Sequence, residues 1–99
     1  MALTFIARMK VHADKEDAFI RHCQALEDAV REHEPDCLLY KFYKLEEPLH
    51  FAVVESFASA EAEEAHRQTA HFKALAPALI ACLDGPYVRE YLYDLDGAR

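Results

Sequence analysis

The chain has 99 residues, a little over half of them apolar, which suits one globular domain spanning 1–99 and excludes a disordered or fibrous polypeptide. Its formal charge of −7 argues against nucleic acid, whose phosphates reward a basic face, and against an anionic membrane surface. Three cysteines without CxxC spacing (Cys23, Cys37 and Cys82), an opening MALTFIARMK that lacks a signal-peptide pattern, and no apolar run of membrane-spanning length give the expectation of a cytoplasmic protein with reduced thiols.

From Leu3 to Val11 apolar residues alternate, which predicts a strand. Asp14 is expected to cap the helix that follows, with Phe19, Cys23, Leu26, Val30 and His33 along its buried stripe. Pro35 should stop that helix by excluding helical geometry at the preceding residue. Cys37 to Lys44 and His50 to Phe57 read as an antiparallel hairpin turning at Glu46, Glu47 and Pro48. Ser59 is expected to cap a short helix reaching about Arg67, and Thr69 a second one in which Pro77 is embedded. A fourth strand is predicted from Tyr87 to Leu95.

The order β-α-β-β-α-β is the split βαβ arrangement of ferredoxin-like α+β folds, a four-stranded antiparallel sheet with its helices on one face. The strands are apolar on both sides: Ile6, Leu38, Phe42, Ala52, Val54, Val88 and Leu92 are assigned to the face opposite Phe5, Val53 and Phe57. An uncovered second face of that kind predicts a homodimer packed sheet against sheet.

Reactive residues concentrate in FAVVESFASAEAEEAHRQTAHFKAL, positions 51–75. Glu55 shares a strand face with Phe51, Val53 and Phe57, so packing against the helices would raise its pKa and suit it to acid–base work near neutral pH. It could equally hold a histidine in one tautomer, or pair with Arg8, Lys41 or Arg89. His66 ends the first of the two short helices, and His71 opens the second, where the helix N-terminus disfavours an imidazolium. Packing and capping are the plain alternatives for both. No metal site is expected: the two histidines lack i,i+4 spacing, and on one helix they would stand about 140° apart. With two glycines the chain has no phosphate-cradling loop, and no GxSxG elbow is present, so dinucleotide cofactors are disfavoured.

The segment ESFASAEAEEAHRQTAHFKAL resembles the antibiotic biosynthesis monooxygenase family, and LTFIARMKVHADKEDAF and CLLY look like it too. The resemblance covers essentially the whole chain and implies a dimeric α+β barrel. It implies a pocket between sheet and helices for a small molecule, and an enzyme that removes a phenolic proton so that the anion can reduce O₂ without a cofactor. On that resemblance His66 and Glu55 are the catalytic candidates, with Glu55 orienting His66, and His71, Phe57, Met9 and Phe72 are the substrate-binding candidates. The chain departs from the oxygenase and heme-degrading branches in having no Trp and no Asn. His66 stands where the heme branch places Trp, and Ala76 where that branch has its iron-ligating His, which argues against heme degradation. An acid–base isomerase or tautomerase, and a non-catalytic ligand-binding dimer, are the alternative readings.

Overall fold

The computed structural model describes residues 2–99. Strand β1 (Leu3–Lys10) leads through a 3-10 turn (Ala13–Lys15) into α1 (Glu16–His33), and β2 (Cys37–Lys44) and β3 (His50–Phe57) form the hairpin. Helices α2 (Ala60–Arg67) and α3 (Ala70–Ile80) follow, and β4 (Val88–Leu92) closes the sheet. The strand order is β2-β3-β1-β4 with every neighbouring pair antiparallel, the topology expected for the ferredoxin-like fold. The alternation in β1 is real. Phe5, Ala7 and Met9 are buried, with Val11 just beyond the strand; Ala7, Met9 and Val11 meet Phe19, Cys23, Leu26 and Val30 of α1 and Phe51 and Val53 of β3.

Three local expectations are corrected. Asp14 lies inside the 3-10 turn, and no side chain caps either that turn or α1. Phe42 sits opposite Val53 and packs against the core, not on the outer face. The register of β2 slips between Cys37 and Leu39, so Leu38 is extruded and the strand's inward phase passes to Tyr40 and Phe42. β4 is also shorter than predicted, because its partner β1 offers register only from Thr4 to Arg8.

The outer face of the sheet carries exposed Leu39, Tyr43, Val88 and Leu92. Two polar pairs lie within that face: Thr4 Oγ1 and Ser56 Oγ are 2.8 Å apart, and Arg8 Nη1 donates to Glu90 Oε1 at 2.9 Å.

The α2–α3 junction is the part of the fold that positions the site. The Ser59 side chain caps α2 through the Ala62 N–H, as its place in the sequence predicts. Thr69 works in both directions. Its hydroxyl donates to the His66 carbonyl at 2.8 Å and accepts from the Phe72 N–H at 3.2 Å, tying the end of one helix to the start of the next. Thr69→Ala removes both bonds and is expected to cost about 1–2 kcal/mol in urea unfolding, with Thr69→Ser retaining most of the stability. Equal losses from the two substitutions would show that the hydroxyl is not what holds the junction.

Candidate functional site

Between the inner face of the sheet and helices α2 and α3 lies a cavity of about 100 Å³. Met9, Tyr40, Phe42, Phe72 and Leu79 supply apolar and aromatic wall, and Glu55, Glu63, His66, Arg67 and Arg89 supply the charged and titratable groups. A largely apolar hollow with a few convergent polar groups is the usual form of a small-molecule site.

His66 is 2% exposed. Its ring lies among Phe72, Phe57 and Tyr40, with centroids 4.7, 5.1 and 5.2 Å away. Its Nδ1 is 2.9 and 3.0 Å from the two carboxylate oxygens of Glu34. The oxygens of an ionised carboxylate only accept, so opposite one Nδ1 is the donor, and in a neutral ring Nε2 then carries the lone pair. That is the tautomer a general base needs.

Glu34 was not among the residues singled out in the sequence. It is the C-cap of α1, with φ −123° and ψ 82°, held out of helical geometry by Pro35. The resulting turn sends its side chain toward the α2–α3 junction. There it also accepts from His71 Nε2 at 2.5 Å. The carboxylate that orients His66 is therefore Glu34, and among the described residues Glu55 makes no hydrogen bond to that ring.

Glu55 is 7% exposed and lines the cavity. Burial raises its pKa to about 8; Arg89 opposes the rise, while Glu63 and Glu34 add to it. At neutral pH it is mostly a protonated carboxyl, able to donate into the cavity. Burial likewise holds the Tyr40 phenol well above its ordinary range, and it keeps the Cys37 thiol at about 11 and pushes Cys23 up further, leaving neither thiol nucleophilic.

The remaining candidates divide. Met9 and Phe72 line the cavity as expected. Phe57 instead backs the His66 ring, and His71 lies outside the cavity wall, bonded to Glu34 and stacked on His33 at 5.5 Å. A charged group forms one edge, in which Arg89, expected as a possible partner of Glu55, instead meets Glu63: Glu63 takes Arg67 Nε at 2.8 Å and Arg89 Nη2 at 3.6 Å, and Arg89 lies over the Phe5 ring at 4.0 Å. The alternation of Tyr87, Arg89 and Tyr91 in the last strand was the available signal for Arg89. Among the described residues no three His, Cys, Asp or Glu side chains converge to hold a metal ion.

Because the fold favours the neutral carboxyl of Glu55, its contribution to stability is present below pH 4.5 and is lost as the pH rises to about 8. Glu55→Gln should flatten that fall, making the variant more stable than the parent at pH 8 by something on the order of 2 kcal/mol in urea unfolding. Parallel stability–pH curves for the two proteins would contradict it.

The family model for antibiotic biosynthesis monooxygenases matches residues 2–78. A candidate antibiotic biosynthesis monooxygenase from Caulobacter crescentus CB15 is 30% identical with TM-score 0.89, the match covering 96% of this chain and 91% of that one. PA3566 from Pseudomonas aeruginosa is 27% identical with TM-score 0.81, covering 95% and 94%. Rv0793 from Mycobacterium tuberculosis, at 23% identity and TM-score 0.86 over the full length of both chains, shares the fold. Comparison with curated proteins gives no match. By the extent of the family match and the likeness to the Caulobacter protein, this chain belongs to the antibiotic biosynthesis monooxygenase family.

Proposed function

We propose that the chain is a monooxygenase of a small electron-rich phenol or quinol that needs no cofactor. The observation that carries this reading is the pairing of two groups on one apolar cavity: His66, with Nδ1 bound to Glu34 and Nε2 free, and Glu55, protonated at neutral pH. Environments that push two titratable groups apart assign an acid and a base. His66 Nε2 takes the phenolic proton. The phenolate gives one electron to O₂, and the radical pair joins as a peroxide at a ring carbon that bears hydrogen. The His66 imidazolium returns its proton to the peroxide anion, giving the hydroperoxide. The Glu55 carboxyl then protonates the distal oxygen as the O–O bond breaks, the electron pair of the ring C–H bond closes the new carbonyl, and the proton released from that carbon restores Glu55; one oxygen remains on the ring as a quinone carbonyl and the other leaves as water. The apolar wall keeps bulk water from the intermediate. The hollow is on the scale of an engineered cavity of about 150 Å³ that holds benzene, which favours a single-ring substrate.

Oxygen uptake by metal-free and flavin-free protein with a panel of substituted hydroquinones tests the reading. His66→Ala should lower kcat/KM by about 10²–10⁴-fold. No uptake with any member of the panel would overturn the oxygenase assignment. One observation favours a second reading: Arg67 and Arg89 meet at Glu63 on the cavity edge, where they could hold an anionic carbonyl compound for isomerisation. Deuterium exchange into a dicarbonyl without oxygen uptake would select that activity.

The same proposal includes a single domain, a reducing cytoplasmic setting suited to three free thiols, and a homodimer. Support for the dimer comes from the outer face, where Leu39, Tyr43, Val88 and Leu92 are exposed together. The described residues include no helix long and apolar enough to cross a membrane. Leu92→Asp is expected to shift sedimentation from dimer to monomer at micromolar concentration, and a parent protein that is itself monomeric there would remove the dimer from the proposal.

A further inference from the structure

The buried carboxylate of Glu34, 9% exposed as a side chain, serves two imidazoles at once, yet it can balance the charge of only one. The surroundings of the two rings differ. His66 occupies the last turn of α2, where aligned peptide dipoles favour a cation; His71 occupies the first turn of α3, where they oppose one. Three aromatic rings pack around His66 in tilted and edge geometries, with centroids 4.7 to 5.2 Å away. His71 instead stacks on a second imidazole, His33.

Other titratable or charged groups near His66 are Glu55, Glu63, Arg67 and Arg89 across the cavity and Tyr40 beside its ring. On the far side of His66 a second hollow is bordered by Glu34, Asp36, Cys37 and His33. The two arginines are held by Glu63, which limits their repulsion of a charged His66.

We propose that Glu34 and His71 are a positioning pair that reserves the carboxylate's charge for His66. His71 stays neutral and donates its Nε2–H to one oxygen, which fixes the carboxylate, while Glu34 faces His66 Nδ1–H. When His66 Nε2 gains the ligand's proton, one N–H bond forms on His66 and one O–H bond breaks on the ligand. The new positive charge is met by the charge already on Glu34, and no proton passes to His71. This deepens the reading of His66 as the base and rests on it.

Nitrogen-15 NMR of the imidazole rings, recorded across pH without ligand, tests the pair independently of turnover. His66 should convert to imidazolium while His71 remains the neutral Nε2–H tautomer through the same range. His71 taking the proton first, or together with His66, would overturn the proposal. Glu34→Gln, which keeps the shape of the side chain and removes its charge, should lower kcat with the active hydroquinone at least as far as His71→Leu does; an undiminished kcat would also overturn it. His71→Gln keeps an N–H donor and should retain turnover with the active hydroquinone. His71→Leu should lower kcat severalfold at unchanged KM, and equal behaviour of the Gln and Leu variants would count against a positioning role. If the NMR result holds while no hydroquinone drives oxygen uptake, the oxygenase assignment fails and the pair stands. If oxygenation proceeds with His71 as the charged ring, the pair fails and the oxygenase assignment stands.

Discussion

Glu34 joins three parts of the chain that are distant in sequence: the end of α1, the last turn of α2 and the first turn of α3. Removing a carboxylate from water costs several kcal/mol, and the cost is offset only when its lone pairs are met by well-placed donors. Two ring N–H groups meet them here. The proline after Glu34 supplies the backbone turn, and Thr69 supplies the sharp reversal that brings His66 and His71 to the same carboxylate. The cavity depends on this arrangement, because the sheet fixes Glu55, Tyr40 and Arg89 while the junction fixes His66 and Phe72 on the opposite wall.

The inner face of the sheet then determines the chemistry available. Period-two geometry puts Glu55 in line with Phe51, Val53 and Phe57, and the antiparallel register sets it between Phe5 of β1 and Tyr40 of β2. With aromatic neighbours on both sides and no hydrogen-bonding partner among the described residues, the carboxyl is held in its neutral form. A surface glutamate on the same strand would ionise.

Much of this was legible in the sequence where the signal is local. The alternation of β1, the stripe of Phe19, Cys23, Leu26 and Val30, and the capping residues Ser59 and Thr69 each depend on neighbours a few positions away, and each is found where expected. The same holds for the rise in the Glu55 pKa, which needed only the apolar company on its own strand. Phe42 shows the limit of periodicity: alternation defines two faces of a strand, but the slip near Leu38 decides which one turns inward. Glu34 shows the limit of motif reading. Its partners are 32 and 37 residues away, and nothing next to it marks it apart from Pro35. The nearer carboxylate, Glu55, lay in the segment that held the histidines, so spacing alone favoured the wrong partner for His66.

The two carboxylates also explain each other. Both are buried in one small domain, and their difference is a difference of partners: Glu34 meets two ring N–H groups, while Glu55 meets none and burial raises its pKa. Exchanging the partners would reverse the roles, because desolvation disfavours any charge that nothing nearby stabilises. A single hydrophobic hollow can therefore present a proton acceptor and a proton donor at the same pH. In the proposed reaction the acceptor would draw on the carboxylate placed behind it, and the donor would keep its proton because no such support reaches it.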